Sequence, residues 1–348
     1  MGGWSGASGT SGTSRGGHFL VVPGMMASRP SILALTKPGP LRLFNTTELL
    51  RLPPPRWLVQ DILPAGGLVG LYGPPGAGKS FIAIDLALAV ASGKLWHGHS
   101  VEQGFALYVS GEGGTGIGKR VQAWLSSNQA STNDVNIAWL TESMPISSTS
   151  EDMDVLFGRL NDEIEQSPSL VVIDTLARCF DGDENLQEDM GRFIAGVDRL
   201  RREFRATVIV VHHTRLDAER ERGSTAFRGA ADTMLSVARK VQHGSIELVC
   251  NKQKDAEEFG TLWFDLKVVP VTMRGVADTS CIVESQAQSR SAAILAMLAQ
   301  GPCTFSEFRR GRFHIPKTSL HRGLLELAGS GQIIKENGVY RLARFQDK

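Results

Sequence analysis

Eight residues, Gly73-Pro74-Pro75-Gly76-Ala77-Gly78-Lys79-Ser80, constrain this 348-residue chain more than any other stretch. They follow an apolar run at 67–72 and precede residues 81–91, whose apolar positions recur at helical spacing. A GxxxxGK[ST] pattern between a strand and a helix describes a loop that wraps around phosphates. Its glycines let successive N–H groups turn toward one anion, and the helix that follows adds the positive end of its dipole. Lys79 offers a point charge to β- and γ-phosphates, and Ser80 a hydroxyl to Mg²⁺. Taken alone, the loop implies ATP or GTP, with Phe81 next to the cradle on the first helical turn.

Apolar runs and helical stretches go on alternating downstream. Strands are expected at 105–109, 137–140, 170–173 and 207–211, with helices near 117–127, 152–165 and 186–204. Continuous apolar strands separated by helices imply a mainly parallel sheet covered on both faces. The pattern then changes, because the runs at 233–238, 245–251 and 261–266 follow one another through turns alone, as an antiparallel extension does. Past Gln286 come three short helical stretches, at 292–299, 304–308 and 317–328, and then two β runs joined across Glu336-Asn337-Gly338. Three helices and an Asn-Gly hairpin are the layout of a winged helix. The expected class is therefore α/β, with a Gly/Ser/Pro-rich tail at 1–40, a lead-in arm at 41–64, a nucleotide-binding domain at 65–285 and a winged-helix-like domain at 286–348.

Bulk properties narrow the function. With 42% apolar and 21% charged residues the chain can bury a sizeable core. A formal charge of +1 gives no global attraction to nucleic acid, so any such site is local. Cys179, Cys250, Cys281 and Cys303 show neither CxxC spacing nor histidines at metal-ligand distance, which suits reduced thiols in a cytoplasm rather than disulfides or zinc. Apolar runs are strand-sized, far short of the roughly 20 residues needed to cross a bilayer.

Three further features fit phosphoryl transfer. Asp174 ends the run at 170–173, where a carboxylate can hold the metal's water shell. Glu112 follows the run at 105–109 at the edge where ligands of parallel sheets collect, which makes it the candidate to activate water. His212 and His213 end the run at 207–211 at that same edge.

Together with the loop, Ser110-Gly111-Glu112-Gly113, Ile173-Asp174-Thr175 and Val211-His212-His213-Thr214 resemble the RecA/DnaB-type ATPase core, and most of all the RepA-like hexameric replicative helicases of plasmids and phages. The resemblance spans about residues 56–270 and implies a RecA-like core that hydrolyses ATP with Mg²⁺ between the subunits of a ring, expected to be a hexamer. It gives Glu112 the activation of water and His212 or His213 the sensing of the γ-phosphate. Phosphate-contacting cations come in that family from the neighbouring subunit, on a late strand, which here matches Lys252-Gln253-Lys254 with lysine where DnaB-type helicases usually carry arginine. Lysine lacks the two-pronged contact of arginine, so Arg228 is an alternative. The loop after the histidines, with Arg215, Arg220 and Arg222, corresponds to one that grips single-stranded DNA, and mobile arginines suit backbone contacts. Lys317, Ser319 and Arg322 at the third C-terminal helix suit either DNA or a protein partner. A replicative helicase is the first expectation, with a replication initiator or a separate primase as possible partners. A DNA-binding ATPase without unwinding, recombinase-like or regulatory, and a nucleotide-gated regulator are the alternatives.

Overall fold

The computed structural model describes residues 43–111, 114–147, 151–160, 162, 166–213, 225–239, 245–310 and 317–343. A single exposed turn, α1 (Thr46–Leu49), opens it, closed by a capping box between Asn45 and Glu48. Two short strands, β1 (Trp57–Val59) and β2 (Leu63–Pro64), form a hairpin that the prolines on either side conceal in the sequence. Leu58, Val59, Ile62 and Leu63 of this hairpin are buried in the same cluster as the helix after the glycine loop, although they belong by sequence to the lead-in arm.

The central unit follows as β3 (Leu68–Gly73), α2 (Lys79–Ser92), β4 (Ala106–Ser110), α3 (Thr115–Ser127), β5 (Ile137–Leu140), α4 (Glu151–Arg159), β6 (Leu170–Asp174), α5 (Leu176–Cys179), α6 (Gln187–Phe204), β7 (Thr207–His213), α7 (Thr225–Ala230), β8 (Thr233–Arg239), β9 (Ile246–Gln253), β10 (Leu262–Met273) and β11 (Val276–Ser285). Its nine strands lie in the order β11-β10-β9-β8-β3-β7-β6-β4-β5. From β8 to β5 every pairing is parallel, and from β8 to β11 every pairing is antiparallel. Alternation fills both faces: on β6, Leu170 and Val172 join the layer of α2 and α3, while Val171 and Ile173 join the layer of α4 and α6.

The antiparallel extension is longer than the sequence pattern suggests. β10 runs on to Met273, and β11 pairs with it from Phe264↔Ser285 to Met273↔Val276. Beyond Phe264, β10 has no partner on that side among the described residues, and a strand edge without a partner tolerates Pro270, the residue that hides it in the sequence. An ion pair between Lys119 and Asp278 ties this ribbon to α3 and holds the Asp278 carboxyl below its ordinary value.

At the C-terminus, α8 (Gln286–Leu298), β12 (Cys303–Thr304), α9 (Phe305–Arg310), α10 (Lys317–Gly329), β13 (Ile333–Glu336) and β14 (Val339–Leu342) surround Ile294, Leu298, Phe308, Leu320, Leu324 and Tyr340. Asn337 and Gly338 both take positive φ, 52° and 79°, as a tight hairpin turn requires. No helix of the described residues is long and apolar enough to cross a membrane.

Candidate functional site

The parallel strands place their carboxyl ends side by side, and the expected nucleotide residues meet along that edge. β3 ends at Gly73, opposite His213 of β7, while Asp174 of β6 lies between Val211 of β7 and Ser110 of β4. A Cβ at Gly73 would stand 2.0 Å from the Val237 carbonyl oxygen, and one at Gly78 would meet Ile246 at 2.4 Å. Gly76 and Gly78 take φ of 74° and 104°, so the loop turns twice in a region open chiefly to glycine. The Ala77 amide closes it onto the Pro74 carbonyl at 3.2 Å. Gly78 begins α2 without a side-chain cap, so the first-turn amides of Lys79 and Ser80 have no acceptor within the helix. Such a cradle, with half-buried Ser80 and Phe81 at its rim, fits a triphosphate with its cation.

Lys79 is 4% exposed and bends back over the loop. Its Nζ donates to Gly73 O at 2.9 Å and Pro74 O at 3.0 Å, and lies 3.0 Å from His213 Nδ1. An ammonium only donates, so Nδ1 accepts and the His213 proton sits on Nε2. A phosphate entering the cradle therefore competes with two carbonyls and an imidazole for one cation.

The two histidines part company, because neighbours on a strand face opposite sides. His213 meets the loop lysine; His212 is buried against Phe227, with Nε2 3.4 Å from Glu184 Oε2. Asp174 is 7% exposed and accepts a 2.6 Å hydrogen bond from Tyr108 Oη, a partner that no motif announces. Burial pushes the nearby Cys179 thiol up, and the Asp174 charge adds to the effect. The Gly111 amide donates to the Asp174 carbonyl at 2.9 Å, which brings the end of β4 onto Asp174. Glu112 itself lies outside the described residues, as do Arg215, Arg220 and Arg222.

On α2, one turn and a half past the lysine, Asp85 is almost wholly buried. It accepts from the indole N–H of Trp96 at 2.8 Å and of Trp124 at 2.9 Å, with His97 Nε2 at 2.8 Å. This carboxylate fastens α3 to the helix that carries Lys79. Lone tryptophans 11 and 39 positions beyond the aspartate give no sequence signal for it.

The three cations considered for a neighbouring site cluster elsewhere. β8 runs parallel to β3, and β9 returns antiparallel, so Gln253 pairs with Thr233 at the amino edge of the parallel strands. Along six-residue β3 that edge is about 17 Å from the glycine loop. Lys252 Nζ is taken up by the carbonyls that end α7, those of Arg228, Gly229 and Ala231, at 2.9, 3.3 and 2.5 Å. Half-buried Arg228 reaches Asn251 O at 3.4 Å. Lys254 keeps 63% of its side chain exposed. In the C-terminal unit α10 carries Lys317, Ser319 and Arg322; Arg322 is exposed, and the side chains of Lys317 and Ser319 are outside the described set.

A glycine cradle, a buried lysine and a strand-end aspartate on one sheet edge define a P-loop ATPase. Residues 39–219 match the AAA domain family, and since this is just over half of the chain, the protein belongs to that family. Among solved structures the RadB recombinase is similar at 17% identity, with a TM-score of 0.44 over 59% of this chain and 89% of that one. No curated protein matches.

Proposed function

We propose that the chain is a RecA-like ATP-driven motor that works as a ring on single-stranded DNA, in the manner of RepA-like replicative helicases. One observation carries the reading: the cradle lies at the carboxyl edge of the sheet and the exposed cation Lys254 at the amino edge, so only a second copy stacked head to tail can bring the two together. A ring of six is the expected closure of that contact.

Bound Mg·ATP would supply the reacting phosphoryl group and the divalent charge that Ser80 and Asp174 hold. The loop amides orient the phosphates, Lys79 neutralises their charge, and His213, the histidine on the loop face, senses the terminal phosphate through its contact with Lys79. Glu112, just past the β4 end that leans on Asp174, is assigned the activation of water. Lys254 is assigned the contact in trans, since Lys252 is occupied by α7 and Arg228 by β9. The C-terminal unit is read as a winged helix spanning 286–348.

A second reading, an ATPase that binds DNA without unwinding it or serves as a regulator, has one observation in its favour. Asp181, Asp183, Glu184, Glu188 and Asp189 crowd the carboxyl edge between α5 and the start of α6, and such charge repels a phosphate backbone. Turnover with and without single-stranded DNA, followed by strand separation on a forked duplex, tests the assignment. Stimulation with unwinding supports the helicase; stimulation alone favours the second reading. Full turnover per subunit at concentrations where the protein sediments as a monomer would remove the ring.

A further inference from the structure

At the amino edge lies a cavity of about 200 Å³, lined among others by Arg56, Trp57, Arg201, Asp232, Thr233 and Lys254. Its cations are not equally committed. Arg201 is pinned by two bonds to Gly66 O, at 2.9 and 3.0 Å, and by Asp198 and Asp232 at 3.0 and 2.8 Å. Arg56 is paired with Glu102 at 2.6 Å. Among the described residues Lys254 has only a loose ion pair, 3.5 Å from Asp232 Oδ1. Thr233, fully buried on the cavity wall, carries a hydroxyl with no hydrogen-bond partner among the described residues.

Asp232 is the hub of this edge. Its Oδ2 accepts from the Leu68 amide at 2.9 Å, the first N–H of the strand that ends in the glycine loop, and from Arg201. Its backbone carbonyl accepts from the Lys254 amide at 2.9 Å, which fixes where that lysine leaves the chain. The carboxylate thus spends one oxygen on structure and offers the other to Lys254.

Resting on the ring reading above, we infer that Asp232 is a latch on the cation given in trans: it holds Lys254 within its own subunit until a terminal phosphate, carried in the cradle of an adjoining copy, enters the cavity and takes the lysine over. A solvent-exposed pair at 3.5 Å is weak, whereas a phosphate bears more charge than a carboxylate and has more acceptor oxygens, so the exchange runs toward the neighbour's nucleotide. Asp232 itself stays in place, because Arg201 and the Leu68 amide keep its other oxygen. The latch makes the isolated subunit a poor donor of its cation and ties trans activation to the arrival of ATP next door.

The test is a double-mutant cycle on full-length protein, reading ATP turnover per subunit across a range of protein concentrations. Asp232→Asn keeps an oxygen for the Leu68 amide and removes the charge facing Lys254. The concentration giving half-maximal turnover should fall by about two- to fivefold, the worth of one exposed ion pair. Lys254→Ala should lower the plateau, and adding Asp232→Asn to it should then shift nothing. A shift of the same size in the Lys254→Ala background, or none in the wild-type background, overturns the latch. A plateau untouched by Lys254→Ala overturns the trans assignment itself and the latch with it. ATP binding at low protein concentration reports that the variants are folded, and Asp232→Ser carries the same test if the asparagine variant is not.

Discussion

The two edges of the central sheet are built differently. At the carboxyl edge Lys79 is buried, its ammonium meets three acceptors, and the helix it begins is fastened through Asp85 to two indoles. At the amino edge Arg201 and Asp232 are partly exposed, and the mostly exposed Lys254 is held, among the described residues, by a single long contact. A preorganised half binds and aligns its ligand without waiting for anything, whereas a loosely paired half is poised to give its charge away. In a head-to-tail stack each boundary joins one edge of either kind, so binding and activation are separable properties of one chain.

Five substitutions press on that contrast, from the largest expected effect to the smallest. Lys79→Ala removes the central cation of the rigid edge and should lower turnover on the order of 100- to 1,000-fold, as a steady-state phosphate-release assay would show. Retained turnover would move the site away from this loop. Asp85→Ala leaves two buried indole N–H groups without an acceptor and should cost about 3 kcal/mol of stability in urea denaturation. Full stability would mean that the fastening of α3 to α2 is incidental. Lys254→Ala should reduce maximal turnover about tenfold, less than the roughly 10³ that an arginine finger supplies, with ATP affinity unchanged. A parallel loss of affinity would place the lysine in the cis site. His213→Ala should slow turnover by about fivefold, the worth of one hydrogen bond, whereas His212→Ala should affect stability alone. Equal kinetic effects from both histidines would contradict the opposite faces seen on β7.

The rigid edge was the more legible one in the sequence. Its glycines, Lys79 and Ser80 are contiguous, and Asp174 announces itself by ending a run of four apolar residues. Parallel strands buried on both faces leave the same plain mark, and six of them form close to where periodicity puts them. The amino edge joins Gly66, Arg201, Asp232 and Lys254, residues up to 188 positions apart in the numbering, by hydrogen bonds that no local pattern encodes. The same is true of Tyr108 on Asp174 and of Trp96 and Trp124 on Asp85, where a polar tip on an apolar ring reads in sequence as core alone. β1, β2 and β11 escaped notice for another reason: the first two lie among prolines and turns, and the last leans on a partner strand containing Pro270.

The carboxylate shared by Trp96 and Trp124 also makes the protein its own optical instrument. Both indoles are hydrogen-bonded to the helix that starts at the glycine loop, so any tilt of that helix on nucleotide loading changes the field at two natural fluorophores. Stopped-flow emission can then time loading without an attached dye, and replacing either tryptophan by phenylalanine tells which wall of the helix moves first.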